Sequence, residues 1–412
     1  MERKTELNNT ITFLLIFSFG VTARKIGENL FFSDFVIILY IIANVNTLLA
    51  INIQKLQVAT VLIFVWLFCL LTSSITNLFI INGYTLLDLI LSAGRLTMYF
   101  LMIIVIADKL NSEKEITRYL GIFRNVVIAH VSCLLLSVVL FYLGINNLNQ
   151  LYEVQTGEIL NTGVLKVFIY PLYNRFCGLF EEPSQFAQFL CAYLITDLIL
   201  RRKYKLKPMG FKMIILLLVG CFYIRSVASL VLVIMPLFYS IWKYELSGMI
   251  LLKSLLATIS IVVIVAVAPI LIKLALELPR VEELISGRDK STSVRFFSYA
   301  APLKVLRETD HMFLGTGLGY SPDYFASREF KSQIIPISVF IEGGVLTFIS
   351  FLILVGYTII RGSLVLSAVF IAYLFSNGYF ITPILFIIFV VFIIESKNAQ
   401  RIPKGSNVGF VS

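Results

Sequence analysis

The apolar positions of this chain come in long blocks, without the stripe of a surface helix or the alternation of a half-buried strand. Windows approaching the roughly 20 apolar residues that cross a bilayer core as a helix lie at 10–22, 35–53, 57–81, 85–107, 121–144, 184–200, 209–224, 227–242, 250–275, 336–360, 363–376 and 380–395. The pattern predicts an all-α, polytopic membrane protein of about twelve transmembrane helices, with two long external loops containing short helices. The block at 363–376 is short and stops at Asn377-Gly378, a turn signal. Residues 1–412 read as one integral membrane domain.

Polar positions are concentrated in two long intervals, 145–183 and 276–335, while the other connections are short. Long connections in compact helical proteins are commonly functional. Both intervals carry aromatics, among them Tyr170, Tyr173, Tyr320 and Tyr324, which predicts packed structure. In the second, "SVRFFSYAAPLKVLRE" places Phe296, Tyr299, Ala300, Leu303 and Leu306 at helical spacing. This predicts an amphipathic helix near the membrane surface, kinked or ended by Pro302.

Lysine and arginine set the orientation. The run "RRKYKLK" (Arg201 to Lys207), with Lys55, Lys109, Lys114, Arg118, Lys243 and Arg361, votes for one side. Taking that side as cytoplasmic places both termini in the cytoplasm and both long intervals outside, as two external loops. The apolar block from Ile11 lacks a small-residue cleavage site and reads as a first span.

Composition agrees with the pattern. The chain is 58% hydrophobic and 14% charged, against about 25% charge in a soluble domain. Its formal charge of +10 follows from the positive-inside bias of membrane loops, so no nucleic-acid partner is expected. The five cysteines are single and mostly within apolar runs, and there are two histidines, His130 and His311. That inventory predicts neither a metal centre nor a cofactor.

Several residues carry candidate chemistry. "RFCGLFEEPSQFAQFL" (Arg175 to Leu190) puts charges of both signs before an apolar run. Pro183 suits a first helical turn, and Glu181 and Glu182 complement its positive end. Capping leaves Arg175 unexplained. Arg225, Arg295 and Arg328 also fall on the expected outer side. Arginine holds phosphate bidentately and keeps its charge, although some of these residues can pair with loop acids. His311 is either a base or a solvated loop histidine. Gly315, Gly317 and Gly319 in "FLGTGLGYSPDY" form either a plain turn or a backbone cradle for phosphate. Arg95 stands inside a span, with Asp88 seven residues earlier on nearly the same face as a possible partner.

The string "R-F-x-G-L-F-x-E-P-S" at Arg175–Ser184 and the two long loops resemble the Wzy-type polymerases of O-antigen, capsule and related polysaccharides. The arginine-aromatic segment Arg295-Phe296-Phe297, the later "FLGTGLGY", and "FIEGGVLTF" (Phe340 to Phe348) are similar to the wider polymerase and ligase superfamily. The resemblance implies a glycosyltransferase at the outer face of a bacterial cytoplasmic membrane. Its substrate would be oligosaccharide linked to undecaprenyl pyrophosphate. It would act among membrane lipids, with a flippase and a chain-length regulator as further partners. Catalytic roles then fall to Arg175, Glu181, Glu182 and Arg295. Arg225, Arg95, Tyr320, Arg328, His311 and Glu342 would bind pyrophosphate or glycan. Related ligases carry a His-Asn pair just before the E-x-G, where this chain has Gln333 and Ile334. A ligase acting through that histidine is therefore disfavoured. A ligase of another kind and a lipid-linked oligosaccharide flippase remain the alternatives.

Overall fold

The computed structural model describes residues 2–21, 32–51, 57–81, 83–143, 154–156, 174–176, 178–180, 183–224, 229–240, 306–307, 311–319, 334–376 and 382–399. They are helical apart from turns, connecting segments and one short strand pair. In chain order the helices are α1 (Glu2–Ser18), α2 (Phe32–Ala43), α3 (Val45–Leu49), α4 (Val58–Ile80), α5 (Leu86–Lys109), α6 (Glu113–Tyr142), α7 (Pro183–Lys203) and α8 (Phe211–Ile224). Then follow a π-helical turn (Leu230–Ile234) running into α9 (Met235–Ser240), α10 (Ile335–Arg361), α11 (Leu364–Ser376) and α12 (Pro383–Ala399).

Four of these, α4, α5, α6 and α10, are long and apolar enough to cross a membrane. Phe64, Phe68 and Phe79 on α4, Leu87 and Ile90 on α5, and Leu346, Ile353 and Ile360 on α10 face outward. Such continuous exposed apolar faces suit hydrocarbon rather than water. Four shorter apolar helices, Phe32–Ala43, Phe211–Ile224, Leu364–Phe375 and Pro383–Ser396, accompany them. The expected span at 250–275 lies outside the described residues.

Two expected spans differ in detail. The block at 35–53 is broken at Asn44, between α2 and α3. There the Asn44 side-chain amide donates to the Tyr40 carbonyl at 2.7 Å. Such a local bond competes with helix continuation. The block at 121–144 begins earlier, at Glu113. Ser112 caps it by accepting from the Glu115 amide, and its first turn carries acids that complement the helix dipole. The start of α5 is fixed by a reciprocal capping box between Thr85 and Asp88.

The core gathers around α12, whose residues from Ile384 to Ile394 are buried almost without exception. A helix apolar all round belongs inside a bundle. Phe389 meets Trp66 of α4 at 6.1 Å, and Phe386 meets Tyr99 of α5 at 5.1 Å. α7 is also buried over most of its length and packs on α12. α10 lies along α4.

In the first long interval, where short helices were expected, the described residues include an antiparallel pair, β1 (Val154–Thr156) with β2 (Asn174–Phe176). Phe176 anchors β2, with its ring against Phe141 of α6 and Tyr223 of α8. Of the expected amphipathic helix in the second interval, only Leu306 and Arg307 are described, and both are helical.

Candidate functional site

Two of the segments singled out in the sequence form one unit. α10 is not continuous: Gly344 takes φ 70° and ψ −169° inside it. A side chain on Gly344 would land on the backbone of Phe313 and Leu314. The kink therefore exists where the turn 311–319 meets the helix. It frees backbone groups of α10, and the turn bonds to them.

The turn's amides are consumed in sequence. Gly315 N–H donates to the His311 carbonyl at 2.7 Å, Thr316 N–H to Ile341 at 2.8 Å, and Gly317 N–H to Glu342 at 3.0 Å. Leu318 N–H donates to the Ser74 hydroxyl at 3.0 Å, and Gly319 N–H to the Glu342 carboxylate Oε2 at 3.0 Å. In return, Val345 N–H donates to the Met312 carbonyl at 3.0 Å. Gly315, Gly317 and Gly319 all adopt positive φ, the left-handed region open to glycine. This corrects the idea of a backbone cradle for phosphate: all five consecutive amides already have protein acceptors.

α4 holds the other side of the turn. The Ser73 hydroxyl donates to the Leu314 carbonyl, and the Asn77 side-chain amide donates to Leu314 at 2.9 Å and Gly315 at 3.3 Å. The Tyr84 hydroxyl donates to the Leu318 carbonyl at 3.1 Å. Burial raises the Tyr84 phenol above its ordinary pKa; the Glu342 and Asp88 carboxylates push the same way, against the Ser74 hydroxyl. Buried Asn77 Oδ1 and Thr347 Oγ1 have no hydrogen-bond partner among the described residues.

Glu342 is fully buried. A buried carboxylate is tolerated when hydrogen bonds compensate its lost hydration, and the Gly319 amide is one such donor. Glu342 therefore clamps the turn, whatever further role it has.

α5 carries a polar line from the turn into the bundle. Asp88, Ser92, Arg95 and Tyr99 recur at spacings that share one helix face. Ser92 sits against Gly319, where a side chain on the glycine would collide with its hydroxyl. About one turn further on, Arg95 meets Asp34 of α2. The guanidinium Nε lies 3.2 and 3.1 Å from the two carboxylate oxygens, and Nη2 lies 3.0 Å from Oδ2. The Tyr99 hydroxyl donates to Asp34 Oδ1 at 3.3 Å. The expected pairing of Arg95 with Asp88 is thus corrected: Asp88 is committed to the cap of α5, and Asp34 meets the arginine.

Arg175 lies on β2 with its backbone opposite Gln155. His311 opens the turn, its amide donating to the Leu306 carbonyl at 3.0 Å. Glu181, Glu182, Arg225, Arg295, Tyr320 and Arg328 fall outside the described residues. Below the Arg175 strand, Phe180 stacks on Phe186 of α7 at 4.5 Å, and both rings flank His130 of α6. That aromatic cluster sets the start of α7.

Sequence reasoning missed Asp34, Ser73, Ser74, Asn77 and Tyr84. A signal existed for the first: Asp34 is a lone acid at the edge of an apolar block, as Arg95 is a lone base within one. The polar run "TSSITN" late in α4 was a second. Among the described residues no three of His, Cys, Asp and Glu gather to hold a metal. No protein-family model matches the chain, and no curated protein does.

Proposed function

We propose that this protein joins lipid-linked oligosaccharide repeat units into a polysaccharide at the outer face of a bacterial cytoplasmic membrane. One observation carries the reading furthest: "FLGTGLGY" and "FIEGGVLTF", two of the segments behind the resemblance, dock on each other through Glu342 and the Gly344 kink. The apolar helices and the strand that bears Arg175 add support.

In this proposal a hydroxyl oxygen of the incoming lipid-linked unit attacks the anomeric carbon of the growing glycan. The bond from that carbon to the pyrophosphate oxygen breaks, and undecaprenyl pyrophosphate leaves with the electron pair. The hydroxyl proton passes to a carboxylate, with Glu181, Glu182 and Glu342 as the candidates. Arg175 and Arg295 hold the pyrophosphate, whose negative charge grows as the bond breaks; fixed cations favour that transition state. Arg225, Arg328, Tyr320 and His311 contribute to the glycan and pyrophosphate surface. The reading is tested by complementing a strain that lacks this gene with Arg175→Ala and Arg295→Ala variants at matched expression. Short or absent glycan ladders are expected, and full-length ladders from both variants would remove this site assignment. Single repeat units left on the acceptor mark a lost polymerase, whereas a bare acceptor marks a lost ligase.

A second reading has its own observation. The Asp34–Arg95 pair joins two apolar helices, and ionisable pairs among membrane helices often line transport paths. A flippase would move labelled lipid-linked saccharide across proteoliposomes without lengthening it.

A further inference from the structure

We propose that the cleft where α1, α2, α5 and α6 meet binds a phosphate ester, independently of the glycan chemistry above. The cleft has a volume of about 340 Å³, within the range of small-molecule sites of about 300–1,000 Å³. It lies where α5 ends at Lys109 and α6 begins, at the limit of two helices long and apolar enough to span a bilayer.

Two features point to an anionic ligand. Lys109 reaches the cleft with its ammonium donating to the Asn44 side-chain oxygen and lying 5.5 Å from the Tyr40 ring centre. No carboxylate lies within ion-pair distance of it among the described residues. A lysine ammonium has three donors, and one goes to Asn44. The second feature is Tyr119, which lines the same cleft and is 6% exposed. Its hydroxyl has no hydrogen-bond partner among the described residues. A buried hydroxyl without a partner costs about 1–3 kcal/mol, a cost that a bound acceptor removes.

The rest of the lining fits a phosphate carrying a small polyol. Arg118 adds a second cation, braced by Glu115 at 3.0 Å, so two cations face one carboxylate. Asn8 and Asn9 of α1 offer amides that both donate to and accept from hydroxyls. Ile106 and Ile122 supply an apolar wall. The phosphate ester could come from an anionic phospholipid headgroup or from a free phosphate ester. The position at the helix ends suits the headgroup layer.

The test uses full-length protein in maltoside detergent, with native mass spectrometry and thermal melting as readouts. One arm adds phosphatidylglycerol, a second adds glycerol 3-phosphate, and a third adds diacylglycerol, which lacks phosphate. Binding of either phosphate compound, but not of diacylglycerol, is expected. Phosphatidylglycerol alone identifies a lipid headgroup, whereas binding of glycerol 3-phosphate identifies the phosphate ester itself. Lys109→Gln should weaken binding about tenfold and Tyr119→Phe about threefold, with Lys109→Arg close to wild type. Tyr119→Phe keeps the buried ring and decides the matter if Lys109→Gln does not fold. Absence of binding in both phosphate arms, equal binding of diacylglycerol, or undiminished binding by the variants would overturn the proposal.

Discussion

The carboxylate of Glu342 accepts the amide proton of Gly319 at 3.0 Å, across a kink that Gly344 alone makes possible in α10. Two segments separated in sequence by residues 320–333 are thereby one structural unit. A carboxylate in that position has a structural task before any chemical one. The two tasks can be separated.

Glu342→Ala removes the acceptor and leaves the Gly319 amide without it, which should destabilise the protein by about 1–3 kcal/mol. Glu342→Gln keeps an oxygen acceptor and should melt close to wild type. Thermal melting in detergent and a glycan ladder, run on the same preparations, separate the roles. A Glu342→Gln protein that melts normally but makes no chains assigns Glu342 to the reaction; one that makes normal chains leaves it as a clamp.

Gly344→Ala should be costly, because it combines a positive φ with collision against the Phe313 backbone. Such substitutions destabilise by more than about 1 kcal/mol. Gly356 is the internal control on the same helix, since a side chain there meets nothing within 4 Å. Gly356→Ala should be neutral or stabilise by up to about 1 kcal/mol. Melting temperatures of the two variants are expected to move apart, and parallel shifts would contradict the kink's importance.

Asp34 and Arg95 should show strong coupling. Removing one partner of a buried ion pair typically costs about 3–5 kcal/mol, because the other charge remains buried. Asp34→Ala and Arg95→Ala are each expected to be severely destabilised, and the double variant less so than the sum of the two. Additive losses in a double-mutant cycle would mean that the pair does not bind the two helices together.

Tyr84 gives a pH signature. Its folded-state pKa is raised, first by burial, so the protonated phenol is favoured in the folded state. That contribution is present in full below the unfolded value near 10.0 and declines as pH rises above it. Tyr84→Phe loses the bond to the Leu318 carbonyl, about 0.5–1.5 kcal/mol near neutral pH. Its stability should then fall less steeply than wild type above pH 10, as denaturation series across that range can measure.

Much of the helical framework was legible from block hydrophobicity, because hydrocarbon demands internally bonded backbone and apolar side chains over a set length. α4, α5 and α10 fall within a few residues of the predicted blocks. Local chemistry visible in the sequence also shaped the ends: Pro183 starts α7, and Thr85 with Asp88 starts α5. The break at Asn44 and the strand pair that includes Arg175 were less legible. One depends on a single side chain competing for backbone, the other on pairing across a gap in sequence.

Sequence alone determined that this is a helical, membrane-suited chain with two long polar intervals, since those properties depend on composition along short windows. Only the tertiary structure decided that Arg95 meets Asp34 rather than Asp88. It also decided that the Gly315 amide closes the turn on itself and the amides of Thr316 to Gly319 serve α10 and α4 instead of a phosphate, and that Tyr119 and Lys109 share a cleft. Helical periodicity shows which face a residue occupies, but which residue lies opposite depends on how distant helices pack, and no local window contains that information.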